Sequence, residues 1–443
     1  MSTDTLAVAG PFHPSRGTYR FVVLLIAGLL TFGSYFAYDS VGALVDTLLK
    51  AWHTDRQAIG GLYTLYSVAA IVVVFLGGML IDRIGTRWAS LIFSALIVVG
   101  ACIVAVAPNV LMAGLGRLVF GAGSESLVVA QSAILARWFK GKELAFSFGF
   151  TLAIARLGTL FSFNTEELIA SRLGWHTALW AAAGLCVLSL LANLVYYAMD
   201  RHGEKVLGLA EAGSGDKIVF ADIRKFSSSY WYVVLLCVTF YSAIFPFTAL
   251  STDFFHEKWG LPLTTGTGGG FLAQALRDYL HMFSTAGGTT SIIIFASMCF
   301  APFAGGLVDR IGRRGSLMLL GALLMIPCYL VLGFTMVPPW LPMLLLGAAF
   351  VLVPAAMWPA VPLIVEKNRV GTAFGLMTMI QNIGLAFFPW MNGRLRVLTH
   401  TYQSSMVMFA LLGATGFVFA LLLLRADAKA GAPLEHPHRE GAA

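Results

Sequence analysis

The sequence predicts an all-α membrane protein: twelve transmembrane helices in two six-helix bundles, with both termini cytoplasmic. Three observations carry that reading. The first is composition: 58% of the 443 residues are hydrophobic and 12% charged, at a mean hydropathy of +0.80, whereas soluble domains carry about a quarter charged residues. The second is that the apolar residues fall into continuous runs of the roughly 20 residues a spanning helix needs. The third is a charged, glycine-bearing motif that occurs twice, once in each half.

In chain order, residues 1–19 read as a cytoplasmic segment and 20–44 as the first span. That run is long and lacks an A-x-A cleavage site, so it is expected to be retained rather than removed as a signal peptide. Further spans are placed at 58–81, 88–108, 110–134, 144–168 and 176–199, completing an N-terminal bundle over 20–199. Residues 200–229, with Gly208, Gly213, Ser214 and Gly215 among charges, read as a cytoplasmic linker with a short surface helix. The C-terminal bundle, 230–424, holds spans at 230–252, 287–308, 316–337, 340–364, 370–392 and 403–424. Residues 262–285 read as an extra outer loop with an amphipathic piece near 271–283, and the Ala, Gly, Pro and charge-rich tail 425–443 as disordered. The short alternating segments of a β-barrel are absent, which leaves helices as the spanning element.

The net charge of +7 does not call for nucleic acid. Twenty of the 29 lysines and arginines fall in the segments on the side of the termini and seven on the other side, the asymmetry that orients membrane proteins. Cys102, Cys186, Cys237, Cys299 and Cys328 all lie in apolar runs without metal-ligand spacing, and the nine histidines form no zinc motif. No metal and no cofactor are expected.

The repeated motif is Gly78-Met-Leu-Ile-Asp82-Arg83-Ile-Gly85-Thr-Arg87, which returns as Gly305-Gly-Leu-Val-Asp309-Arg310-Ile-Gly312-Arg313-Arg314, each copy between the second and third span of its bundle. A collection of Arg and Gly in any turn explains the charge but not the shared order. On these residues the chain resembles the major facilitator superfamily, whose members carry this motif in the corresponding loops. The resemblance implies a central cavity between two bundles and alternating access by their rocking. Gly78, Asp82, Arg83, Gly85, Arg87, Asp309, Arg310 and Gly312 then form a conformational latch, in which Asp82 caps the inner N-terminus of the eleventh helix.

A charge in the bilayer core costs a few kcal/mol and needs a partner or an aqueous cavity. Glu125 in span four and Arg156 in span five each lie roughly 20 Å from their starting face at 1.5 Å per residue, level with one another near the midplane. Three readings are open from the residues alone: a structural ion pair, a proton relay through Glu125, and two separated charges that receive a zwitterion, Glu125 an ammonium and Arg156 a carboxylate.

The runs Ser124-Glu125 to Gln131, Trp138-Phe-Lys-Gly-Lys-Glu-Leu144, Ala155-Arg156-Leu-Gly158-Thr159, Phe245-Pro246-Phe247, Trp358-Pro359, Gly371 to Gly375 and Gln381-Asn382 to Ala386 resemble the lysosomal dipeptide uniporter branch of that superfamily, in register along most of residues 31–400. The resemblance implies that Glu125 holds the peptide amino terminus and Arg156 the carboxyl terminus. Polarity within spans adds Tyr35, Tyr38, Asp39, Tyr241, Trp358, Gln381 and Asn382 as cavity candidates, although aromatic residues at helical spacing are more often packing or interface anchors. Arg117 reads as stabilising spans one and four. The chain departs from that branch in its 262–285 loop and in lacking an acidic dileucine signal and any N-x-S/T sequon. A bacterial inner membrane is therefore the expected location, with a monomer and no accessory subunit as the expected assembly. The rival readings are a proton-coupled exporter of drugs or organic ions and a non-transporting scaffold or sensor; no enzyme motif is present.

Overall fold

The computed structural model describes residues 13–14, 16–139, 143–207, 220–264, 270–281, 284–366 and 369–436. It is all-helical among them. The N-terminal half comprises α1 (Gly17–Ala43), the short α2 (Val45–Ala51), α3 (Arg56–Val106), α4 (Val110–Phe139), α5 (Leu144–Leu173) and α6 (Trp175–Leu207). A 3-10 turn, Phe220–Lys225, leads into the C-terminal half: α7 (Ser228–Thr248), α8 (Ser251–Trp259), α9 (Phe271–Leu280), α10 (Ala286–Ile311), α11 (Arg314–Phe334), α12 (Trp340–Ile364), α13 (Val370–Thr399) and α14 (Gln403–Lys429).

Eleven stretches among the described residues are long and apolar enough to cross a membrane. The run expected at 287–308 coincides with α10, whose described apolar stretch is the shorter Ala286–Ala301. Two expected spans are joined in α3. The backbone breaks there at Gly85, with φ 79° and ψ 162°, a conformation open to glycine and costly to residues with a Cβ. In the second motif copy Gly312, at the end of α10, has φ 80°. The two copies thus turn the chain with the same kind of residue at the same motif position. The side chains of Asp82 and Asp309 lie outside the described residues; Arg83 and Arg310 are exposed, and Gly85 and Gly312 are buried.

Two helices run past the ends that hydropathy set. α6 continues to Leu207, so Asp200, expected in the linker, is instead a buried helical residue bonded to Arg137 Nη1 at 3.0 Å and Trp138 Nε1 at 2.8 Å. Arg87 of the motif pairs with Asp200 at 3.3 Å and with Glu204. These charges satisfy one another within the N-terminal half, which is what permits Asp200 to be buried. Residues 425–436 also differ from the expected structureless tail. α14 runs to Lys429, the chain then turns back, Leu434 is fully buried, and Glu435 accepts hydrogen bonds from Ser316 N at 2.9 Å and Ser316 Oγ at 2.7 Å at the start of α11. A carboxylate at a helix N-terminus is stabilised by the exposed N–H groups there. Residues 208–219 of the linker, 265–269 and 282–283 of the 262–285 loop, and 437–443 of the tail lie outside the described residues.

The end that holds α1's first turn and α14's last is termed the inner end, after the orientation expected from the sequence, and the opposite one the outer end. From mid-molecule to the opposite, outer end the halves are joined. Arg56 Nε and Nη2 meet Asp253 at 2.5 and 2.8 Å, Thr252 donates to Gly42 O at 2.5 Å, Thr64 to Ala386 O at 2.5 Å, and Arg394 to Gln57 at 3.1 Å. Glycine makes the contact of α3 with α13 possible: a Cβ on Gly60 would stand 2.2 Å from Pro389 O, and one on Gly393 2.1 Å from Arg56 O. The outer end is closed in this arrangement.

Candidate functional site

Between the halves lies a cavity of about 390 Å³, within the range of small-molecule sites. Its lining brings together all nine cavity candidates from the sequence: Tyr35, Tyr38 and Asp39 on α1, Glu125 on α4, Arg156 on α5, Tyr241 on α7, Trp358 on α12, and Gln381 and Asn382 on α13. Tyr66, Phe245 and Phe350 supply further aromatic wall.

Glu125 is positioned by a close helix crossing. Gly121, one turn earlier on α4, lies so near α3 that a Cβ there would stand 2.4 Å from Tyr66 O. That approach carries the Tyr66 hydroxyl to Glu125 Oε1, to which it donates at 2.8 Å. Tyr66 is itself held edge-on against Tyr38, ring centroids 4.8 Å apart. One carboxylate oxygen thus has a phenol donor, while the side chain faces the cavity.

Arg156 is placed in the same way. Gly158 on α5 abuts α1, where a Cβ would stand 2.4 Å from Phe32 O. The guanidinium lies over the Phe350 ring, 4.3 Å from its centroid, and Nη1 donates to Ser297 Oγ. Both contacts come from the C-terminal half, so Arg156 bridges the two halves across the cavity. No ion pair joins Glu125 to Arg156.

On the far wall Trp358 Nε1 donates to Tyr241 OH at 3.1 Å, and Tyr241 stacks on Phe245 with centroids 5.8 Å apart. Gln381 Oε1 accepts from Cys237 Sγ at 3.4 Å. Asn382 Nδ2 donates to Thr378 O at 3.1 Å, which leaves Asn382 Oδ1 buried without a partner. Arg117 lies behind the opposite wall, in the N-terminal half. It is 1% exposed, donates to Ala37 O and Tyr38 O at 3.2 Å, and sits among the rings of Tyr38, Tyr63, Tyr66 and Phe120 at 4.9–5.4 Å. It ties α4 to α1, as the sequence suggested.

Sequence reasoning missed Tyr66, Ser297 and Phe350, since one tyrosine, serine or phenylalanine in an apolar run carries no signal. It also missed an acidic group toward the outer end. Glu166 is fully buried with neither carboxylate oxygen partnered, and Glu167 Oε1 accepts from Thr47 at 2.7 Å. Two consecutive glutamates inside the window drawn for span five were the available signal. Nearby, Asp253 is shared by Arg56 and the Tyr402 hydroxyl, and Glu257 by Arg56 at 3.7 Å and Arg396 at 2.8 Å. Asp46, on α2 between spans, faces this group; burial first, then the Asp253 carboxylate, pushes its pKa up to about 7.

Comparison with known proteins agrees with the architecture. The Major Facilitator Superfamily profile matches residues 27–277 and 262–441. The lysosomal dipeptide transporter MFSD1 of Danio rerio is 34% identical over 387 residues, 84% of this chain and 80% of that protein. The Homo sapiens protein of the same name is 34% identical over 394 residues, 86% and 80% of the two chains. The crystal structure of nucleoside transporter NupG superposes with a TM-score of 0.67 at 15% identity, covering 91% of this chain and 98% of that one, a likeness of fold alone. The lysosomal names of the sequence relatives give no support to the bacterial inner membrane expected from sequence. With eleven candidate spans, a cavity between two joined halves and these matches, the chain is a multi-pass membrane transporter rather than an enzyme, and it belongs to the Major Facilitator Superfamily.

Proposed function

We propose that the protein carries dipeptides across its membrane by alternating access, Glu125 receiving the peptide ammonium and Arg156 its carboxylate. The observation that carries this reading is that one cavity holds both charges while neither neutralises the other. Their other partners are neutral: a tyrosine hydroxyl, a serine hydroxyl and an aromatic face. A zwitterion gives each of these charges a partner of opposite sign, with the guanidinium fork matching a carboxylate. The relatives named dipeptide transporters support the same substrate class.

On this reading selectivity is by length. A free amino acid presents both charges on one carbon and cannot reach both partners, while longer peptides overshoot. Side chains rest against Tyr35, Tyr241, Phe245, Phe350 and Trp358, surfaces that accept many shapes. Twelve spans with cytoplasmic termini, a single-chain uniporter, and the motif latch at Asp82 and Asp309 complete the proposal. The motif loops then engage when the outer end opens, latching the inner end shut, and part when the inner end opens.

The test is thermal stabilisation of the purified protein by dipeptides, free amino acids and tripeptides, repeated with Glu125→Gln and Arg156→Ala. A ligand that binds the folded state raises apparent stability by mass action. The expected result is a shift with dipeptides alone, lost in both variants. No shift with any peptide in a well-folded sample contradicts the proposal and turns attention to an exporter of organic ions.

A further inference from the structure

The connection between α8 and α10 contains a helix that the transport reading does not use. α9 (Phe271–Leu280) is ten residues long and lies at the outer end, because it follows α8 and precedes the spanning α10. Its leucines recur every fourth residue, and none is covered: Leu272 is 82% exposed, Leu276 58% and Leu280 67%. At 3.6 residues per turn this spacing gives one apolar stripe along a single side of the helix. The two ends of the connection are fixed. His256 Nδ1 bonds Leu261 O at 2.7 Å, Ala286 N donates to Pro262 O at 3.0 Å, and the Thr285 side chain caps Gly288 N at 2.9 Å. α9 also packs against α5, whose Phe161 and Leu173 are exposed apolar residues of the membrane-facing surface.

We infer that α9 is an interfacial helix, lying on the outer membrane surface with Leu272, Leu276 and Leu280 sunk into the boundary between lipid headgroups and acyl chains. The occupant of the stripe is lipid because the stripe continues the apolar surface that α5 already turns to the bilayer, at the level where that surface ends. A helix of this kind with one apolar side lies in the interface plane rather than spanning. It fastens the connection between α8 and α10 to the membrane surface.

The test places a cysteine at Leu276, in a Cys102→Ser, Cys299→Ser background where the three remaining cysteines are buried. The cysteine is labelled with an environment-sensitive fluorophore, and the protein is reconstituted in phosphatidylcholine and phosphatidylglycerol vesicles. Thr401→Cys, exposed between α13 and α14 at the same end, is the aqueous reference. The expected result is a blue-shifted emission, quenching by lipid carrying a nitroxide high on its acyl chain, and iodide quenching about fivefold weaker than at Thr401, since an interfacial apolar side is buried only about 5–10 Å deep. Iodide quenching equal to that at Thr401 overturns the inference. So does a blue shift without nitroxide quenching, which assigns the stripe to protein, and one that depends on protein concentration, which assigns it to a second copy.

Discussion

Arg56 of α3 and Asp253 of α8 join the two halves at the outer end through a two-armed contact of 2.5 and 2.8 Å. Asp253 is 1% exposed and also holds the Tyr402 hydroxyl, while Arg56 is 27% exposed. The pair is therefore a fastening of the closed outer end, made only while α3 and α8 are together.

Replacing Arg56 with Gln leaves Asp253 a buried charge without its cation. The closed state is expected to lose roughly 1–3 kcal/mol relative to the open one, about a fivefold to 150-fold change in their ratio. Spin labels at Pro108 and Thr401, exposed on the outer ends of the two halves, read this as growth of a longer-distance population.

Gly60→Ala and Gly393→Ala are expected to shift the same label pair in the same direction by a different route. The added methyl in each meets carbonyl oxygen, of Pro389 or of Arg56, at about 2.2 Å, which α3 and α13 relieve only by separating. Neither substitution touches a charge, so the shift in these variants is independent of salt.

The outer end is expected to close more firmly in acid. Asp46 has a pKa raised to about 7 in the closed state by burial and by Asp253, with His256 and Arg56 acting in the opposite sense. In an opened, solvated state it returns toward an ordinary carboxylate value near 4. Between those values the closed state binds more protons, so its advantage is full at low pH and is lost as pH rises from about 4 to about 7. The labelled pair therefore shows more of the short distance at pH 5 than at pH 8, and Asp46→Asn removes that component of the dependence.

Tyr66→Phe is expected to weaken dipeptide binding roughly tenfold to hundredfold, the worth of one hydrogen bond to a charged group. Arg156→Lys is expected to weaken it more, because an ammonium supplies neither the fork nor the flat face that rests on Phe350. Titration of the thermal shift against dipeptide concentration measures both.

Sequence and structure diverge at identifiable places. Apolar runs located the spans because the membrane demands them, but hydropathy ends where the bilayer ends. α6 continues to Leu207 and α14 to Lys429 with polar residues that pair outside it, as Asp200 does with Arg137. Glu125 and Arg156 were legible because a charge in an apolar run is costly. Tyr66, Ser297 and Phe350 were not, since their importance arises only when α3, α10 and α12 are folded around those charges. Gly121 and Gly158 were visible letters, yet their role is the tight crossing of α4 on α3 and of α5 on α1.

The central claim is that Glu125 and Arg156 grip the two ends of one peptide, and counterflow of a labelled dipeptide in proteoliposomes tests it most directly, with N-acetylated and C-amidated dipeptides as competitors. Free dipeptides are expected to compete and both blocked forms to fail, with flux lost in Glu125→Gln and Arg156→Ala. Competition by the blocked forms equal to that of the free dipeptide, or undiminished flux in either variant, contradicts the account.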